Sequence, residues 1–346
     1  MHLHHLKNQD VLDALERGCF NRKILHKALL MTGNEQEQLF RLACDRRNEK
    51  FTHVEVEVRS VLEISNKCKQ RCRYCNMGER RALKEYMIDE SVMVETIDYI
   101  YKKGRRVVLL QSGENDDQDF IDMVTRGVET VKGRYSDLVL ILCLGDLKKE
   151  QYFQLRQAGA ERYILKFETT NPAIFNHAKP NDNLDNRLRC LEYILEAGFE
   201  AGSGNIIGLP RQTIDDIVDD LFLNHKYNLS MNSSSVFIPA EESEYSDQPV
   251  GSLDITLNTM ALMRIMNPGR LMPTTSSLER AKIGGQLLGL KAGANTITIH
   301  DGTPEELKPY FPIYSIKRIN PQEKHFSVIV KKAQMKMSKE ALRVAS

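Results

Sequence analysis

The chain has 346 residues, 41% of them hydrophobic and 27% charged, with 48 Lys plus Arg against 47 Asp plus Glu. Such a composition supplies a sizeable core and excludes wholesale disorder, and the charge balance argues against a general polyanion binder while leaving a local basic site open. The N-terminus has no apolar h-region and no stretch approaches the roughly 18 uninterrupted apolar residues of a transmembrane helix, so the sequence predicts a cytoplasmic protein that binds neither membrane nor nucleic acid.

Residues 9–47 recur near the helical period, with Val11, Leu12 and Leu15, then Ile24, Leu25, Ala28 and Leu29, then Leu39, Leu42 and Ala43. From about residue 51 the texture changes to alternating strands and helices. The predicted strands are 58–64, 106–111, 138–143, 162–166, 201–207, 232–237, 271–275 and 295–299. Between them lie helical stretches near 89–103, 116–132, 147–158, 184–197, 213–227, 254–266 and 278–289. Short apolar strands alternating with helices imply a mostly parallel sheet covered on both faces. Eight strands match a (β/α)8 TIM-type barrel, and an open doubly wound sheet is the alternative on pattern alone. The expected organisation is an N-terminal helical extension over 1–50, a barrel with its C-terminal half over 51–319, and a Lys-rich tail over 320–346 with a β-like run at 326–330. His2, His4 and His5 read as an exposed terminus.

Seven cysteines is an odd count, and three of them crowd into Cys68-Lys-Gln-Arg-Cys72-Arg-Tyr-Cys75. This CxxxCxxC follows directly on the first predicted strand, at the carboxyl end where barrel enzymes carry their sites. Three core cysteines on one helical face would give the same spacing. The neighbours Lys67, Lys69, Gln70, Arg71 and Arg73 argue against a buried stripe and favour thiolates instead. Three thiolates are one short of a closed zinc or iron–sulfur site, which leaves one metal position open. Zinc would need a fourth ligand, and no C-x2-C…H-x3-H pattern supplies one. Cys19, Cys44, Cys143 and Cys190 read as small buried hydrophobes, with a second cluster left open.

The cysteine spacing at the first strand's end, with Tyr74 before the last cysteine, resembles the radical S-adenosylmethionine (SAM) superfamily. The resemblance implies that Cys68, Cys72 and Cys75 hold a 4Fe-4S cluster whose open iron is chelated by SAM. SAM is then cleaved reductively to methionine and a 5′-deoxyadenosyl radical that abstracts hydrogen from a substrate. It implies an electron donor such as a flavodoxin or ferredoxin. Gln111-Ser112-Gly113-Glu114 is similar to the family's segment that pairs with the SAM amino group. Glu168 and Arg187 are implied to embrace SAM, Arg187 on its carboxylate. Gly204-Asn-Ile206-Ile-Gly208 is similar to the motif bordering adenine, which places Ile206 there. The resemblance spans about residues 55–320.

Within the superfamily the chain resembles the biotin synthase-like group, above all the FeFe-hydrogenase maturase HydE type (HydE-like) and then methylornithine synthase. VLLQSGE, ETTNP, NRLRCL and GLPRQTIDDIVDDL carry that likeness. Departures fall elsewhere. Asn76 stands where the HydE type has glycine after the third cysteine, and Lys166-Phe167 replaces Arg-His. The stretches Met231–Phe237 and Thr298–Thr303 also differ. SAM-facing segments are kept while interior ones change, which implies a HydE-like enzyme with a different, small substrate.

Lys166, Ser233, Ser234, Ser235, Thr274, Thr275, Thr298 and His300 are candidates to line the barrel mouth. Lys166 could neutralise a substrate carboxylate, and the hydroxyls could bond a polar substrate. Lys166 and His300 are the catalytic candidates, His300 with its tautomer fixed by Asp301. Other functions left open are a metal-cofactor maturase acting as HydE does, sulfur insertion of the biotin or lipoyl synthase kind, and a non-catalytic Fe–S or zinc scaffold.

Overall fold

Alternation gives β1 (Glu55–Ser65) two faces. Val56, Val58, Leu62 and Ile64 turn outward to helices, while Val61 joins an inner cluster with Val107, Leu109, Val139 and Ile141. The inward set on β1 is therefore Glu57, Arg59, Val61 and Glu63. The computed structural model describes residues 7–51, 54–78, 83–313 and 323–343, so His2, His4 and His5 lie outside the described residues.

After β1 come α4 (Glu90–Lys102), β2 (Val107–Ser112), α5 (Gln118–Arg134), β3 (Val139–Cys143), α6 (Lys149–Gln157) and β4 (Arg162–Ile164). They are followed by α7 (Pro172–Ala178), α8 (Leu184–Glu196), β5 (Glu200–Ile207), α9 (Ile214–Lys226), β6 (Met231–Val236), α10 (Leu253–Met266), α11 (Ser276–Ala281), α12 (Gly285–Lys291) and β7 (Thr296–Ile299). The strands pair in parallel in the order β6–β5–β4–β3–β2–β1–β7. The predicted strand 271–275 is not a ladder. It makes one bridge from Leu271 to Met231 and one from Pro273 to Thr296. Pro273 has no N–H to give a ladder. The two bridges nevertheless join β6 to β7 and close the α/β ring as a TIM-type barrel.

Before the ring come α1 (Asn8–Glu16), α2 (Arg22–Leu29) and α3 (Gly33–Lys50). They lie against the outer helices: Asn258 of α10 donates to Leu29 O and Met31 O at 2.9 Å each. Arg47 of α3 is buried and donates to Leu290 O at 2.9 Å and Ala294 O at 3.0 Å. After the ring come α13 (Glu323–Lys332) and β8 (Lys336–Ser338), which pairs with β1.

The expected β-like run at 326–330 is helix instead. Phe326, Ile329 and Val330 are buried together at helical spacing, and the flanking Lys and Glu face outward. The expected helix 278–289 is split into α11 and α12 at Gly284, whose φ is +85°. An unexpected helix, α7, starts at Asn171-Pro172, where Asn171 Oδ1 accepts from Ala173 and Ile174 N–H.

The amino end of the ring is closed by charge. Glu57, fully buried, accepts from Arg59 Nε at 2.7 Å, from Arg162 Nη1 on both carboxylate oxygens at 2.9 and 3.0 Å, and from Leu342 N–H at 2.8 Å. Burial works against its charge, yet Arg59 and Arg162 bring its pKa below the ordinary range. The tail thus seals this floor and leaves the carboxyl end for chemistry.

Candidate functional site at the carboxyl end of the barrel

The cysteine loop leaves β1 and is pinned from several sides. Asn66 Nδ2 donates to Lys84 O at 2.9 Å and Tyr310 O at 2.8 Å. Lys69 N–H donates to Glu114 O, and Arg73 N–H to Ala178 O, both at 2.9 Å. Cys68, Cys72 and Cys75 consequently line one cleft. Cys68 Sγ accepts from Glu114 N–H at 3.3 Å and Cys75 Sγ from Met77 N–H at 3.4 Å. Burial pushes the Cys68 thiol up and Cys72 well up, so these groups carry protons until a metal displaces them. Backbone N–H groups aimed at sulfur suit thiolate ligands of a cluster, and the residues present fit one. Gly113 is needed for this approach: a Cβ there would lie 2.3 Å from Lys67 O and 2.7 Å from Cys68 Cβ.

Beside the cysteines sits a buried charge network. Glu114 Oε1 accepts from Gln70 at 2.6 Å, and Oε2 from Arg187 at 3.0 Å and Lys179 at 3.4 Å. Arg187 also lies 2.9 Å from Asp182 and 3.2 Å from Asp146. Burial opposes the Arg187 charge, but Glu114, Asp146 and Glu168 more than offset it and hold its pKa up. Burial, opposed by Arg187 and aided by Glu114, pushes Asp146 up to about 8, and burial also raises Asp182. The three carboxylates Glu114, Asp146 and Asp182 come within 4.8 Å of one another, but Arg187 and Lys179 already supply the cations there.

On the opposite wall Tyr74 packs against Ile174, Ala178, Ile206, Leu209, Phe237 and Tyr245. Its hydroxyl lies 3.5 Å from Glu168 Oε1. Burial, then Cys72, push the Tyr74 phenol well up. Glu168 stands at φ +63°, pinned by its N–H to Gly204 O at 3.0 Å and by Ile206 N–H to its carbonyl at 2.8 Å. Lys166 Nζ lies 3.3 Å from Glu168 Oε2 and donates to Ser235 Oγ at 3.4 Å.

All eight residues assigned to SAM from the sequence, Tyr74, Gln111, Ser112, Gly113, Glu114, Glu168, Arg187 and Ile206, line the same cleft as the cysteines. Lys166 and Ser235 line it too, and Ser233 shares their inward face one step below. Thr298 faces the lumen in register with Arg59. The remaining candidates are brought elsewhere. Thr274 is buried with its hydroxyl on Gln286 O at 2.7 Å, and Thr275 bonds Ser277 at 2.9 Å, so both serve local turns. Ser234 is buried and points outward between the lumen-facing Ser233 and Ser235.

His300 is held by a different partner than expected. Its Nδ1 lies 3.1 Å from Glu63 Oε1, not on Asp301, because the chain after β7 runs alongside β1, with Gly302 N–H on Val61 O at 3.0 Å. Glu63 is fully buried and its register neighbour on β2 is Gln111 of the cleft. With 271–274 counted, β7 stands across the ring from β4, so His300 and Lys166 follow opposite strands, and His300 does not line the cleft that Lys166 lines.

Lys179, Asp146, Asp182, Gln70 and Glu63 were not legible as site residues. Asp146 had a usable signal, a carboxylate just past a strand end, and Lys179 and Asp182 lie in the loop before α8. Of the four unassigned cysteines, Cys143 lines the cleft and burial raises its thiol to about 11. Cys44 donates to Lys291 O at 3.1 Å, Cys190 is buried and Cys19 is exposed. Among the described residues no helix is long and apolar enough to cross a membrane.

Residues 62–223 match the Radical SAM superfamily. The chain is 33% identical over 311 residues to the [FeFe] hydrogenase maturase subunit HydE of Thermotoga maritima, covering 89% of this chain and 88% of that protein. It is 28% identical over 245 residues to the biotin synthase of Geobacillus thermodenitrificans, with 68% and 71% covered. Among solved structures, methylornithine synthase superposes with a TM-score of 0.80 at 20% identity over 95% of this chain and 97% of that one, a likeness of fold.

Proposed function

The chain belongs to the radical SAM superfamily, and from that premise we propose that it is a radical SAM enzyme acting on a small, carboxylate-bearing substrate. The observation that supports this best is convergence: Cys68, Cys72, Cys75 and the eight residues assigned to SAM line one cleft at the carboxyl end of the ring. In this reading the three cysteines hold a 4Fe-4S cluster. The cluster, when bound, supplies the electron that cleaves SAM to methionine and the 5′-deoxyadenosyl radical that takes hydrogen from the substrate.

The chain's own residues then have separable tasks. Glu114, already held by Gln70, Lys179 and Arg187, accepts the SAM ammonium, and Arg187 offers its fork to the SAM carboxylate. Tyr74 and Ile206 provide the apolar wall for adenine. Lys166 and Ser235 bind the substrate carboxylate on one side of the lumen, and His300 with Glu63 faces it from the other. Packing by Glu57, Arg59 and Arg162 keeps water from entering through the floor. A cytoplasmic flavodoxin or ferredoxin is the expected one-electron donor.

Among the described cysteines outside the CxxxCxxC loop, Cys143 is the single one in the cleft. One extra thiol favours a single cluster over sulfur insertion, which needs a second cluster as sulfur source. The interior departures at Lys166 and His300 favour a substrate other than that of HydE. Anaerobic reconstitution followed by dithionite and SAM tests the reading. About four irons per chain and formation of 5′-deoxyadenosine are expected. A reconstituted chain that holds its iron and yields no 5′-deoxyadenosine would instead be a scaffold.

A further inference from the structure

Behind the Glu168 turn lies a carboxylate that the proposed chemistry does not use. Asp220 projects from α9 and is fully buried. Its Oδ1 accepts from Thr170 N–H at 2.7 Å and from the Thr170 hydroxyl at 2.8 Å. Its Oδ2 accepts from Asn205 Nδ2 at 2.9 Å. Three neutral donors converge on one buried carboxyl group, so both of its oxygens are held by named partners.

Those groups belong to two walls of the cleft. Thr170 lies two residues past Glu168, and Asn205 immediately precedes Ile206 on β5. Glu168 and Asn205 form a single bridge rather than a ladder. Glu168 also stands at φ +63°, a backbone conformation that any side chain with a Cβ resists. The strained turn is tied to β5 from the front by two backbone hydrogen bonds, Glu168 N–H to Gly204 O at 3.0 Å and Ile206 N–H to Glu168 O at 2.8 Å, and nothing in them fixes Thr170. Asp220 ties the turn down from behind, gripping Thr170 on one side and Asn205 on the other.

We propose that Asp220 is a positioning residue for SAM, acting through Thr170 and Asn205 to hold the side chains of Glu168 and Ile206 toward one bound molecule. It touches no ligand itself, and the inference rests on the radical SAM reading. Among the described residues Asn205 Oδ1 has no hydrogen-bond partner. In Asp220→Asn the Asn205 amide can therefore turn over and accept from the introduced amide, while Thr170 keeps its acceptor. Asp220→Ala has no such repair.

The test uses the full-length chain reconstituted anaerobically with iron and sulfide. Equilibrium binding of SAM to the unreduced chain gives Kd, and 5′-deoxyadenosine formation with dithionite gives KM and kcat. For Asp220→Ala, Kd and KM for SAM are expected to rise about tenfold, with kcat within about threefold and iron content unchanged. Asp220→Asn is expected within about twofold of wild type on every measure. A folded Asp220→Ala chain with wild-type SAM affinity overturns the proposal, as does an equal loss in Asp220→Asn. If Asp220→Ala does not fold, Thr170→Val carries the test with an expected rise of about threefold in Kd, and no rise overturns it. A wild-type chain that neither binds SAM nor yields 5′-deoxyadenosine sinks the radical SAM reading together with this inference. A competent wild type beside an indifferent Asp220→Ala sinks this inference alone.

Discussion

Lys166 Nζ lies 3.3 Å from Glu168 Oε2, so the residue we assign to the substrate is paired with one we assign to SAM. In that reading the two sites share a charge. A substrate carboxylate that draws Lys166 away changes the electrostatics at Glu168, and the reverse holds for SAM.

Removing that shared charge should act unequally. Lys166→Met is expected to weaken substrate binding by about tenfold or more, because a buried carboxylate loses its cation. SAM affinity should change by less than about threefold, since Glu168 keeps Tyr74 and its backbone ties. Parallel titrations of substrate and SAM check this; equal losses would remove Lys166 from the substrate side.

The cysteines divide sharply. Cys68→Ser, Cys72→Ser and Cys75→Ser should each lose most of the bound iron and all SAM cleavage, since three ligands leave none spare. Cys143→Ser should keep about four irons per chain and its charge-transfer absorption. Iron assay and visible spectra decide, and loss of iron in Cys143→Ser would reassign that thiol as a ligand.

Asp220 makes the stability of the chain depend on pH. Burial pushes its carboxyl up to about 7, against an ordinary value of 3.8. Between these values the folded chain holds a proton that the unfolded chain has released. Its contribution to stability is therefore full below the window, falls by ~1.4 kcal/mol per pH unit through it, and changes no further above it. Urea midpoints at pH 5 and 7.5, without cluster, should show a smaller difference in Asp220→Asn than in wild type. Identical slopes would mean that the carboxyl titrates normally.

His300→Gln and Glu63→Gln should fail together. The pair is joined at 3.1 Å, and neither residue lines the cleft of the cysteines and Glu114. Either change is expected to lower substrate-dependent turnover by about 10²-fold while iron content and SAM affinity stay near wild type. Measuring 5′-deoxyadenosine with and without substrate separates the two effects. A loss of SAM binding in His300→Gln would place it on the wrong wall.

What the sequence disclosed was local and what it withheld was relational. CxxxCxxC, Gln111–Glu114 and Gly204–Gly208 sit at strand ends, where a short motif determines both its own backbone and its direction. Seven of the eight predicted strands were readable for the same reason, period by period, whereas 271–275 makes only two bridges and β8 was not foreseen. Partnerships were not. Thr274 and Thr275 have the right residue type at a strand end, but their hydroxyls are consumed by Gln286 and Ser277. His300 meets Glu63 from 237 residues away, while its sequence neighbour Asp301 goes unused. Phe326–Val330 has β-branched content, yet Phe326, Ile329 and Val330 fall on one buried helical stripe against α12, with Val328 left exposed.

The seam at Leu271–Pro273 has a bearing on solubility and breathing. Every other junction in the ring is a ladder of two or more paired residues, but here two single bridges do the joining. Losing them bares the flanks of β6 and β7, two rows of unpaired backbone groups capable of recruiting strands from other molecules. The amides of Leu271 and Thr274, which close this gap on Ser230 O and Thr296 O, should exchange with deuterium earlier than those of β1 and β2. Conditions that loosen the seam would then drive aggregation before the rest of the barrel melts.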